Sequence, residues 1–157
     1  MPTVRPATLD DMDALLALWR DLEEAQGSFR LFPPVEDAAQ RIEDSFRDAV
    51  ASADADVLLV VDDDGTPAGM ALVHLEHPSR MSSERAVELS RVVARPDRRG
   101  SGIGTFLVDA AGEWARERGV RSMVAAVFVG NEASRGFWRA AGFVPWVERM
   151  VRPIDPP

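Results

Sequence analysis

Glu88 to Thr105 reads Glu-Leu-Ser-Arg-Val-Val-Ala-Arg-Pro-Asp-Arg-Arg-Gly-Ser-Gly-Ile-Gly-Thr. Its first half is a strand, and Pro96 stops it because proline offers no N–H to a ladder. Its second half places Gly100, Gly102 and Gly104 at alternate positions, immediately before the apolar helical pattern Ile103, Phe106, Leu107, Ala110, Ala111, Trp114, Ala115. Glycines there leave backbone N–H groups uncovered. The helix that follows adds its own unpaired N–H groups and the positive end of its dipole, so the stretch is an anion cradle suited to phosphate. Arg95, Arg98 and Arg99 flank it on a chain whose formal net charge is −8. A local basic cluster on an acidic chain points to one particular anion.

Composition narrows the chemistry. A chain of 157 residues predicts one domain, here 1–152 with a Pro-rich tail at 153–157. No apolar run approaches membrane-spanning length. The Met1-Pro-Thr-Val start has no apolar leader, so a cytoplasmic protein without a membrane partner is expected. Cysteine, tyrosine and lysine are all absent, and the 18 basic residues are arginines. Disulfides, thiolate metal sites and an acyl-cysteine intermediate are thereby excluded. The acidic balance argues against nucleic acid as a partner. It is mildly compatible with a cationic acceptor such as an amine, but ordinary solubility is the favoured reading.

Strand, Arg-x-x-Gly-x-Gly and helix, carried by Arg99, Gly102 and Gly104, resemble the pyrophosphate loop of the GNAT superfamily of acetyl-CoA-dependent N-acetyltransferases. A second motif follows in the right order. Asn131-Glu-Ala-Ser-Arg-Gly-Phe-Trp-Arg-Ala-Ala-Gly142-Phe143 is similar to the family's later helix, which opens on Asn and closes on Gly-Phe. A dinucleotide loop fits less well. Its third glycine belongs three residues after the second, whereas Gly104 falls two after Gly102, and no acidic ribose ligand stands at the expected spacing.

The resemblance implies an α/β fold of the GNAT type: a mixed, mostly antiparallel sheet flanked by about four helices. The pattern of the chain predicts the order β-α-α-β-β-β-α-β-α-β. Strands are expected at 3–7, 57–61, 68–77, 85–94, 122–129 and 143–151. Helices follow Thr8, with Asp11 in a capping box, and then Val35, Gly102 and Asn131. Asp62-Asp-Asp-Gly65 is a hairpin turn, since the spaced ligands of a calcium loop are missing. His74 and His77, three apart on one strand, face opposite ways and make a poor metal pair, so no metal is expected.

The resemblance also assigns roles. Arg99, Gly100, Ser101, Gly102, Ile103, Gly104 and Thr105 would hold the pyrophosphate of acetyl-CoA, the cosubstrate. Val92, Val93 and Ala94 would pair with the pantetheine, with an N–H near Val92 stabilising the oxyanion of a tetrahedral intermediate. Glu88 is the candidate base for a directly attacking amine. Asn131, Ser134, Phe137 and Trp138 would line the cofactor from the later helix. At the position of Trp138 the family commonly carries a tyrosine that protonates the departing thiolate. Indole N–H gives up no proton near neutral pH, which leaves water or Ser134 as donor.

The missing acid motivates two alternatives: an acyl-CoA-binding sensor with little catalysis, or a transferase for a longer acyl group with Trp138 and Met70 shaping its pocket. Phe29 and Phe32, between the first two helices, read equally as loop anchors or as a wall of the acceptor pocket, with His74 as a further contact. The expected partner is a small-molecule or peptide amine. The edge of the last strand offers a surface for a homodimer.

Overall fold

The computed structural model describes residues 1–155, so Pro156 and Pro157 of the expected tail lie outside the described residues. Five strands form one sheet in the order β1-β2-β3-β4-β5: β1 (Thr3–Pro6), β2 (Ala55–Val61), β3 (Pro67–Glu76), β4 (Ala86–Ala94) and β5 (Met123–Ala125). β1 to β4 are antiparallel neighbours, and β5 joins β4 in parallel. Helices α1 (Met12–Gln26) and α2 (Ala38–Ala51) precede β2, α3 (Ile103–Glu117) links β4 to β5, and α4 (Glu132–Ala140) follows β5. The sheet is therefore mixed and mostly antiparallel with four helices, as expected.

Strand alternation sorts the core onto two faces. Val57 and Leu59 of β2, with Met70 and Leu72 of β3, pack under Leu15 and Leu18 of α1 and Phe46 and Ala49 of α2. Leu58, Val60, Ala71 and Val73 point the other way, against Ile103, Leu107, Ala111 and Trp114 of α3 and Trp138 of α4. Burial on both faces explains why Val57 to Val61 of β2 is one unbroken apolar run.

The β2–β3 hairpin closes as the sequence predicts. Asp62 N–H donates to Thr66 C=O at 2.9 Å, and Gly65 takes φ +81°. Gly69 of β3 lies where β3, β4 and α3 converge. A Cβ there would stand 2.5 Å from Ile103 Cγ2 and 2.7 Å from Val93 C=O. Gly69→Ala should therefore destabilise the protein by about 2 kcal/mol, because a backbone oxygen cannot yield as a side chain can. An unchanged urea midpoint would show that the sheet absorbs the methyl.

The expected capping box forms at the entry to α1. Thr8 N–H donates to Asp11 at 2.8 Å, and Arg5 grips the same carboxylate through two bonds of 2.8 Å. Arg5 above all, with Thr8, lowers the Asp11 pKa to about 2. The folded value lies below the unfolded one, so this stabilisation is complete above about pH 4 and fades as pH falls toward 2. The pair is partly solvated, so its worth is about 1 kcal/mol. Asp11→Asn should lower stability by that amount at pH 7 and converge with the parent near pH 2, read by urea unfolding across that range.

Two expectations are corrected. Ser122 to Val129 was expected as a full strand, yet only Met123–Ala125 pairs. Phe143 to Val151 was expected as a sixth strand and carries no strand. β5 ends at Ala125 and leaves no edge long enough to receive it, so Val144, Trp146, Val147 and Met150 are exposed. The strand edge expected to support a homodimer is therefore not formed.

Candidate active site

The site is built around a defect in β4. Between β3 and β4, Met70 faces Val93 and Leu72 faces Ser90, so β4 carries one extra residue at Arg91–Val92. Arg91 adopts φ +52°, the one non-glycine residue with positive φ among those described. This is a β-bulge, which bends its strand and ends pairing. On the other side, β4 pairs with β5 only from Val87 to Leu89. Among the described residues, that edge of β4 has no strand partner from Ser90 to Ala94, and a wedge opens between the two strands.

The glycine loop stands at the end of this wedge. A 3-10 turn, Pro96–Arg98, follows β4, and Gly100 and Gly102 then take φ +76° and +87°. The first α3 bond is Phe106 N–H to Gly102 C=O at 2.9 Å. Among the described residues, nothing accepts from the N–H groups of Gly102, Ile103, Gly104 and Thr105. A Cβ at Gly102 would meet nothing within 4 Å, so the space before these donors is open. Gly104 has a different reason to be glycine: a Cβ there would lie 2.8 Å from the Phe137 ring, which packs α4 against the start of α3.

The flanking arginines divide. Arg98 pairs with Asp62 at 2.9 Å, while Arg95 holds Asp97 at 2.6 Å and approaches Asp62 at 3.6 Å. Arg95 also donates to Pro67 C=O at 2.7 Å. Hydrogen bonding to Arg95 lowers the Asp97 pKa and raises that of the guanidinium. These two arginines brace the loop against the β2–β3 turn. Arg99 has no carboxylate partner among the described residues and donates only to Asp21 C=O, at 3.4 Å.

Glu88 lies three residues before Arg91 of the bulge, directly opposite His74 in the β3–β4 register. Their side chains approach to 3.3 Å, with Glu76 3.9 Å from the same imidazole. His74, Glu76 and Glu88 each offer one ligand atom within 4.8 Å of the others, so this is the group of described residues able to hold a cation. Beside it, β3, β4 and α2 enclose an open cavity of about 360 Å³ lined by Ser45, Asp48, Leu72, His74, Ser90 and Arg91. Sequence reasoning missed Ser45, Asp48, Ser90 and Arg91. An arginine directly before the apolar Val92-Val93-Ala94 end of the strand was the available signal.

The remaining candidates spread around the wedge. Asn131 caps α4 by accepting from Ser134 N–H at 3.1 Å. Trp138 is 9% exposed, with its ring edge-on to Phe137 and Phe143 at centroid distances of 5.1 and 4.8 Å, so it packs the core. Phe29 stacks on Phe128 at 6.5 Å and anchors the α1–α2 loop, whereas Phe32 is 72% exposed.

Residues 15–143 match the Acetyltransferase (GNAT) family. The chain belongs to that family. It is 30% identical to an aminoglycoside N(6')-acetyltransferase type 1 of Stenotrophomonas maltophilia, over 99% of this chain and 95% of the relative. It is 33% identical to an L-methionine sulfoximine/L-methionine sulfone acetyltransferase of Pseudomonas paraeruginosa, over 90% of this chain and 79% of the relative. It spans 60% of the length of an uncharacterized N-acetyltransferase of Methanocaldococcus jannaschii that it also matches. A predicted acetyltransferase from Clostridium acetobutylicum, solved with acetyl-CoA, superposes with a TM-score of 0.78 over 98% of this chain and 97% of its own, at 16% identity. Among the described residues, no helix of this GNAT protein is long and apolar enough to cross a membrane.

Proposed function

We propose that this protein is an N-acetyltransferase that moves the acetyl group of acetyl-CoA to the amine of a small molecule by direct attack. The observation that carries the reading is the run of unpaired N–H groups from Gly102 to Thr105, open to solvent at the end of a splayed strand. Such donors suit a pyrophosphate, and Arg99 adds charge. Acetyl-CoA would supply an activated thioester. The free edge of β4 at Val92, Val93 and Ala94 would align its pantetheine arm, and an N–H near Val92 would hold the thioester oxygen.

Glu88 would take the proton that the attacking amine must lose, with His74 as its neighbour at 3.3 Å. Ser134 or water would return a proton to the thiolate, which is a good leaving group with a pKa of about 8.5. The chain contains no tyrosine to serve instead. Small-molecule amines as acceptors accord with the relatives, which are named for aminoglycosides and for amino-acid analogues.

The absent tyrosine also favours a second reading, an acyl-CoA-binding sensor with little catalysis. The longer-acyl alternative gains no geometric support, because Met70 and Trp138 both lie in packed core. Calorimetric titration with acetyl-CoA, followed by thiol release against a panel of amines, tests the assignment. Binding with release supports transfer. Binding without release leaves the sensor, and no binding overturns the cradle reading.

A further inference from the structure

The cavity beside β4 carries a feature that an all-purpose amine site would not need. Arg91 is half-buried at the bulge, and its guanidinium donates to Ser45 Oγ at 2.7 Å and lies 5.2 Å from the Phe46 ring centroid. Guanidinium has five N–H donors, and among the described residues no carboxylate lies within ion-pairing distance of Arg91. Burial lowers its pKa, offset in part by Glu23, which is itself ion-paired to Arg30. A desolvated cation with unused donors, facing a cavity, is a site for an anionic group.

The same cavity has a second pole. His74 lines it and stands 3.3 Å from Glu88, and Asp48 contributes a carboxylate from the α2 wall. On β4, Arg91 adjoins Val92, where the thioester is expected, and Glu88 lies four residues before it. We infer that the acceptor is a zwitterion: a small primary amine that also bears a carboxylate, as in a free α-amino acid, with the carboxylate on Arg91 and the amine toward Glu88. This rests on the acetyl-transfer reading of the site. A volume of about 360 Å³ suits a small molecule. A polycation would set one of its charges against Arg91.

The test compares methionine, glutamine and phenylalanine with their α-carboxamides, and with spermidine, by thiol release from acetyl-CoA. Each carboxamide has the less basic amine, so more of it is neutral and the comparison is biased against the proposal. The free acids should nonetheless show kcat/KM about 10²-fold higher, the size expected for losing a desolvated charge partner. Arg91→Gln should remove that advantage by lowering the free-acid kcat/KM toward the carboxamide value, with acetyl-CoA affinity within about threefold of the parent, and Arg91→Lys should restore part of it. Equal rates for acids and carboxamides in the unmodified protein, or preference for spermidine, would overturn the zwitterion while transfer stands. Release from no member of the panel would overturn it together with the transferase reading.

Discussion

Glu88→Gln should lower turnover by ~10²–10⁴-fold while leaving acetyl-CoA affinity unchanged. The argument starts from geometry. Glu88 sits on β4 before the bulge, where the strand is still paired to β5, so its backbone is fixed on both sides. Its carboxylate is partly exposed and has His74 as a neighbour, and among the described residues no arginine is bonded to it. Asp11, by contrast, is gripped by Arg5, which lowers its pKa to about 2 and makes it a poor base. Glutamine keeps the size and loses the basicity. The deficit should shrink as pH rises, because a growing fraction of the amine is then neutral without help. Equal rates for the variant and the parent across pH would remove Glu88 as base. His74→Gln, made alongside, separates a direct role for the imidazole from a positioning one.

Gly102→Val should weaken acetyl-CoA binding by more than tenfold. Gly102 has φ +87° and open space at its Cβ position, so the side chain would enter the region that the unpaired N–H groups face. Left-handed backbone costs a branched residue about 1–2 kcal/mol, so some stability is lost as well. Gly102→Asn controls for this, since asparagine tolerates that conformation and still fills the space. Calorimetry on both variants decides. Undiminished affinity in the asparagine variant would mean that phosphate does not approach this loop.

The parts of the site legible in the sequence were those whose cause is local. Glycine spacing, a stop at Pro96 and a helical apolar stripe identify the cradle without reference to any other segment. Gly65 and its aspartates do the same for the hairpin. The bulge was not legible as geometry, because an arginine with positive φ leaves no compositional trace. Pairing across the chain was equally hidden. Asp62 meets Arg98 across 36 positions, and Arg91 meets Ser45 across 46. Residues 122–129 have strand composition, but a strand also needs a neighbour, and β4 turns away after Leu89. Phe143 to Val151 lost its place for the same reason. Trp138 was read from its position in a motif, whereas its burial follows from Phe137 and Phe143, which no motif position specifies.

The clamp formed by Asp62 has a bearing on how ionic strength acts. Arg95 and Arg98 have their charge balanced locally by Asp62 and Asp97, so of the three basic residues beside the cradle only Arg99 presents uncompensated charge. The chain as a whole stands at −8. An anionic ligand therefore approaches against a net repulsion at long range and is held at short range mainly by uncharged dipoles. Added salt screens the first far more than the second, since the Debye length at physiological strength is about 8 Å. Association with this site should quicken as salt is raised, the reverse of what a basic phosphate-binding surface shows.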